Sequence, residues 1–248
     1  VIDYNEYIMK KHELVFYSFV GIILMFILGY IFYQNMIVSI VFSAVGLFLP
    51  KLMKKRLMQK RKNELSKQFQ QALFSLSSSL IAGRSIENSF LEVSNDLKLL
   101  YPDPNTYIIR EFDLINTKVA NRETIESAFE DFSERAGIDD ITNFTDVFIT
   151  CKRTGGDLVE VIRRTSTLIS EKIEIQQEIS VMVAQKKFES TALSIMPIMM
   201  IALLGNVAGN YMDPLFVFPG LGPIVMTIAL GIIVFSFWVS QRIMNIKV

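Results

Sequence analysis

Four stretches of this chain carry no charged side chain: 14–33, 36–49, 190–212 and 215–241. About 20 residues of helix cross the roughly 30 Å hydrocarbon layer of a bilayer. Inside that layer every backbone polar group needs an internal partner, which a helix supplies. The first, third and fourth stretches are long enough alone. The second has 14 residues, a rise of about 21 Å as helix. It has to borrow length from 51–55, whose lysine stems can snorkel to the headgroups. The expected fold is therefore all-α and polytopic, with two membrane helices before and two after a polar helical bundle. A hydrophobic content of 51% and a mean hydropathy of +0.36 agree; soluble domains of this length are less apolar.

Charge orients the chain. Lys51, Lys54, Lys55, Arg56, Lys60, Arg61 and Lys62 follow the second stretch with no acidic residue among them. Basic residues beside a span stay on the cytoplasmic side. Lys10 and Lys11 precede the first span, Lys186 and Lys187 the third, and Arg242 and Lys247 follow the fourth. The other two connections, Gln34-Asn35 and 209–222, contain no Lys or Arg. All basic flanks fall on one side if both termini and the polar body are cytoplasmic. Tyr30, Tyr33 and Tyr211 then sit near the outer boundary and Trp238 near the inner one. The expected divisions are a cytoplasmic segment 1–13, a hairpin 14–50, a basic juxtamembrane segment 51–62, a cytoplasmic domain 63–187, a hairpin 188–241 and a tail 242–248. Residues 14–33 are too long for the apolar core of a signal peptide. Segment 63–187 holds 20 acidic against 14 basic residues. A basic collar and an acidic body point to anionic lipid at one level and a protein partner at the other. A purely topological role for the lysines is equally compatible.

Segment 63–187 has helical punctuation throughout. Leu65, Phe69, Leu73, Leu76 and Leu80 share one helical face, ended by Gly83. Ser85 starts a helix with Ile86, Phe90, Val93 and Leu97 inward, broken at Pro102-Asp-Pro104. A helix over 107–119 puts Ile108, Phe112 and Ile115 inward. Asn121 or Thr124 starts the next, with Ile125, Phe129 and Phe132, ending at Gly137. Asp139 or Asp140 caps a fifth, with Ile141, Phe144, Phe148 and Cys151, ending at Gly155-Gly156. From Asp157 no breaker occurs before Pro197, along Leu158, Val161, Ile162, Leu168, Ile169 and Ile173. Ser85-Ile-Glu-Asn-Ser-Phe90 echoes Thr124-Ile-Glu-Ser-Ala-Phe129, with a fainter copy at Gly156 to Glu160. Repeated helix-start grammar accounts for this.

The chain shows no phosphate-binding loop, zinc motif, dithiol pair or nucleophile elbow. No enzyme activity, cofactor, metal or nucleic-acid partner is expected. The one histidine, His12, stands at the start of the first span. The one cysteine, Cys151, falls on an apolar face, where it acts as a small hydrophobe. A transporter or channel component is the alternative reading. It lacks the intramembrane charge that marks ion paths. Pro197 and Asn206 are the expected points of flexing or packing, since Pro197 frees the carbonyl of Leu193. Gly205 and Gly209 form a G-x-x-x-G pair suited to packing against another helix.

The order Leu76-x-x-x-Leu80-x-Ala-Gly83-Arg-Ser85-Ile-x-x-Ser-Phe90, Arg135-Ala-Gly137 and Lys152-x-x-Gly155-Gly156-Asp157-Leu158, then a charged helix entering a span with Pro197, resembles the type II secretion F domain. It covers about 65–245. A single copy between two hairpins is similar to the Tad (Flp, type IVc) branch, and the tail from Trp238 looks TadB-like. The resemblance implies a six-helix cytoplasmic bundle in a bacterial inner-membrane platform. It also implies partners: a hexameric secretion ATPase (TadA-like), a second F-domain protein (TadC-like) or a further copy, and prepilin subunits. The candidate motor-facing positions are Gly83, Gly137, Gly155, Gly156, Asp157, Glu130 and Asp131. Pro197 and Asn206 are the candidates toward pilin.

Overall fold

The computed structural model describes residues 2–207, 212–217 and 220–243, apart from the side chain of Asn206. Every regular element among them is helical. In chain order these are α1 (Lys11–Tyr33), α2 (Met36–Val45), a 3-10 turn (Gly46–Phe48), α3 (Leu49–Ile81), α4 (Ile86–Leu100), α5 (Tyr107–Ala120), α6 (Ile125–Ala136), α7 (Asp139–Thr154), α8 (Leu158–Val207), α9 (Asp213–Phe216) and α10 (Gly222–Ile243). Among the described residues four helices are long and apolar enough to cross a membrane. The chain divides into two compact units, Val1–Ile8 with Lys55–Ile175 and Met9–Lys54 with Gln176–Val248.

The first unit is a helical bundle closed by a phenylalanine core. Phe69, Phe90, Phe112, Phe129, Phe132, Phe144 and Phe148 are all buried. Phe129 touches Phe90, Phe112, Phe132, Phe144 and Phe148, mostly edge-on or tilted, as ring quadrupoles favour. The echoed phenylalanines, Phe90 and Phe129, meet edge to face at 5.3 Å. The echo is one of caps: Ser85 Oγ accepts from Asn88 N, Thr124 Oγ1 from Ser127 N, and Asp157 Oδ1 from Val159 N and Glu160 N. Thr124, not Asn121, starts α6; Asn121 instead terminates α5. Ile138 is the N-cap of α7, so Asp139 and Asp140 fall inside its first turn. There they face the positive end of the helix dipole. The start of α5 lacks a cap from its own Thr106. Gln68 of α3 supplies one, accepting from Ile108 N at 3.2 Å. On α8 the inward face is Ile162, Ser166, Ile169 and Ile173, and Leu168 points outward.

In the second unit α1 turns into α2 over Gln34-Asn35. Gln34 adopts a left-handed conformation, and Asn35 Oδ1 accepts from Ile37 N and Val38 N. A methyl added to Gly21 would lie 2.5 Å from Gly46 O, and one added to Gly29 would lie 3.0 Å from Ser39 Cα. The two helices therefore touch backbone to backbone, the packing that small residues allow inside a bilayer. Met36–Ile81 runs as one helical stretch, with a local 3-10 turn at Gly46–Phe48. Pro50 has no N–H for the Gly46 carbonyl and its ring crowds that oxygen. Leu49 N bonds Gly46 O instead. Tyr33 is buried, and its hydroxyl is 2.8 Å from Thr227 Oγ1 of α10. Trp238 is exposed and receives the Arg242 guanidinium over its ring at 5.2 Å.

Candidate functional site

The most densely bonded polar cluster of the helical unit surrounds a segment the sequence left unassigned. Residues 2–8 carry no helix, yet Tyr4 is fully buried. Its ring meets Tyr107 edge-on at 5.8 Å, its N donates to Arg135 O at 2.9 Å, and its hydroxyl donates to Glu111 Oε1 at 2.9 Å. Glu111, buried on α5, takes a second bond from Arg135 Nη2 at 2.7 Å. Arg135 also reaches Asp131 and the carbonyl of Ile2, and Asp131 pairs with Lys118 at 2.9 Å. Arg135 lies in the last turn of α6, where a cation is favoured by the helix dipole.

The electrostatics follow from burial and these partners. Burial raises the Tyr4 phenol well above its ordinary range, and the Glu111 charge and hydrogen bond raise it further against Arg135 and Arg61. Burial also works against the Arg135 charge, but its bonds to Glu111 and Asp131 outweigh that and hold its pKa up. For Asp131 burial pushes upward, and the bonds from Arg135 and Lys118 overcome it, leaving the carboxyl below its usual value.

The basic segment divides in two. Lys51, Lys54, Lys55, Arg56 and Lys60 are exposed. Arg61 and Lys62 are half-buried. Arg61 lies over the rings of Tyr4 and Tyr7 at 5.2 and 5.4 Å and donates to the carbonyls of Asp3 and Glu6. Lys62 donates to Asn5 Oδ1 and to Gly137 O. Burial lowers its pKa, against the pull of Asp3 and Asp139. Both side chains are spent on residues 3–6 and the α6–α7 turn.

The remaining candidates separate similarly. Gly83, Gly137 and Gly155 all have positive φ. Gly83 and Gly155 are open to solvent, whereas Asn5 covers Gly137, where any added methyl would collide with Asn5 Oδ1. Gly156 is exposed, and the carboxylate of Asp157 is engaged as the α8 cap. Glu130 is exposed and makes no ion pair among the described residues, but its neighbour Asp131 is tied into the network above and is not a free acidic surface. Pro197 lies inside α8, which continues to Val207. It borders a cavity of about 420 Å³ between α8 and α10, lined also by Ser190, Ser194, Ser236 and Ser240. The side chain of Asn206 and the whole of Gly209 and Tyr211 lie outside the described residues. His12 is exposed, Cys151 is buried, and no cluster of metal-binding side chains occurs among the described residues.

In sequence, apolar helices long enough to cross a membrane precede and follow a polar helical bundle among the described residues. The family model for type II secretion system protein F matches residues 72–205. The chain belongs to this family and is a multi-pass inner-membrane platform protein of the type II secretion and type IV pilus group. No curated protein and no solved structure matches it. Proteins of this family interact with secretion ATPases and with partner platform proteins.

Proposed function

We propose that the chain is the TadB-like platform of a Tad (Flp) machine, coupling a cytoplasmic hexameric ATPase to extraction of pilin from the bilayer and its addition to a filament. The observation that carries this reading is a single F-family match, 72–205, that begins after one apolar hairpin and ends within α8, before α10. The distribution of positive charge supports cytoplasmic termini and a cytoplasmic body over 63–187. Exposed Lys51, Lys54, Lys55, Arg56 and Lys60 serve as contacts to anionic lipid.

The motor-facing surface is assigned to the open turns at Gly83 and Gly155-Gly156 and to the exposed acids Glu130 and Glu134. The pilin-facing surface is assigned to the serine-lined cavity beside Pro197. A transmembrane helix seated there would find hydroxyl groups and the freed Leu193 carbonyl within an apolar surround. The test is affinity purification of the tagged chain from its native membrane in mild detergent, with mass spectrometry. Recovery of a secretion ATPase and a second F-domain protein is expected, and Glu130→Lys with Glu134→Lys should lower ATPase recovery at unchanged protein level. Recovery of neither partner, with both present in the cell, would refute the assignment. The competing transporter reading requires solute flux in liposomes holding the purified chain.

A further inference from the structure

The contacts of residues 2–7 are those of a bound ligand and not of a segment passing over a surface. We infer that the helical unit contains a recognition site for an extended, tyrosine-bearing peptide, occupied in the structure by the chain's own residues 2–7. Tyr4 fills the centre: ring on Tyr107, hydroxyl on Glu111, backbone N–H on the Arg135 carbonyl. Arg61 reads the main chain on both sides through the carbonyls of Asp3 and Glu6 while covering the Tyr4 and Tyr7 rings. Asn5 bridges the site floor, donating to the carbonyls of Glu134 and Arg135 and accepting from Lys62. Ile2 packs on the bundle core, and its carbonyl accepts from Arg135. Main-chain bonds supply affinity and one buried aromatic supplies selectivity, the division used in peptide recognition generally.

Two features make the occupant exchangeable. It has no secondary structure of its own, so leaving costs no helix. The Arg61 Nε is buried without a hydrogen-bond partner, a penalty relieved when the strap departs and water enters. Ile8, Met9 and Lys10 separate residues 2–7 from α1.

The experiment uses the whole chain in detergent with Tyr4→Ala, which vacates the site, and a labelled synthetic peptide of the sequence of residues 2–8. Fluorescence anisotropy should show the peptide binding the Tyr4→Ala chain at least tenfold more tightly than the wild-type chain, where the site is filled. A peptide with alanine at the first tyrosine should lose that binding. Equal binding to both chains, or none to either, overturns the inference. Hydrogen exchange supplies a second readout that does not require the vacated chain to hold its fold. In the wild-type chain the Tyr4 amide should be protected, but exchange faster than amides of the α6 core. Protection equal to the core would make the strap a permanent part of the bundle and also overturn exchangeability.

Discussion

Replacing Arg135 by methionine isolates the energetics of the buried network. The side chain of Arg135 is 13% exposed and that of Glu111 is 3%, so the substitution strands a carboxylate that water barely reaches. Breaking a buried pair from one side costs about 3–5 kcal/mol. A domain has only about 5–15 kcal/mol in hand. At a few degrees per kcal/mol for a unit of this size, the midpoint should fall by roughly 10–20 °C. Removing both charges tells a different story, because a buried ion pair is often no better than apolar packing. Glu111→Leu with Arg135→Met should recover much of the loss, but it leaves the Tyr4 hydroxyl without its acceptor, a penalty of about 1–3 kcal/mol. Adding Tyr4→Phe removes that penalty. The expected order of midpoints is therefore Arg135→Met lowest, the double variant above it, and the triple variant highest of the three. Thermal unfolding in detergent, followed by near-ultraviolet circular dichroism or intrinsic tyrosine fluorescence, reads this. A triple variant as unstable as Arg135→Met would refute the reasoning, since the loss would then not come from an uncompensated charge.

Three further outcomes follow from other parts of the molecule. Phe129→Ala should destabilise the helical unit by about 3–5 kcal/mol, the range for emptying a buried aromatic site, and a loss under 1 kcal/mol in the same melts would contradict its central packing. In the α1–α2 hairpin, a methyl on Gly29 would lie 3.5 Å from Ser39 Cβ, within disulfide reach; Gly29→Cys with Ser39→Cys in a Cys151→Ser chain should cross-link on mild oxidation, and Gly46→Leu should sharply reduce the yield. For pH, burial raises both Asp131 and Glu126, but hydrogen bonds from Arg135 and Lys118 to the first, and from Lys152 and its own backbone N–H to the second, leave both carboxyls depressed. Depressed carboxyls stabilise the fold above their unfolded values, near pH 4, and that stability is lost as pH falls through the folded ones. Asp131→Asn with Glu126→Gln should flatten the decline of the melting midpoint below about pH 4; an unchanged slope would dissociate these groups from acid sensitivity.

Local chemistry was readable from local sequence. Ser85, Thr124 and Asp157 announce helix starts because a cap needs only its own next three residues. The inward phenylalanines follow from helical spacing, since one face must be buried. What escaped depends on distant partners. Nothing near Tyr4 marks it as buried, because its acceptor lies 107 positions away. Arg61 and Lys62 look like their exposed basic neighbours in sequence, and their oxygen partners on Asp3, Asn5 and Glu6 lie more than 50 positions away. Asp131 and Glu130 are adjacent and equally acidic, and only the turn of α6 beside Lys118 separates a structural carboxylate from a surface one. The 3-10 turn at Gly46–Phe48 could have been found from Pro50, whose missing N–H falls four residues on.

The position of Tyr4 also has a consequence in time. Its carbonyl partner on Arg135 is translated 131 residues after it. At about 5–20 residues per second this is a wait of roughly 6–26 seconds. During that interval α1 and α2 are already made and the strap has nowhere to dock. Docking of Tyr4 therefore reports that α5 and α6 have come together.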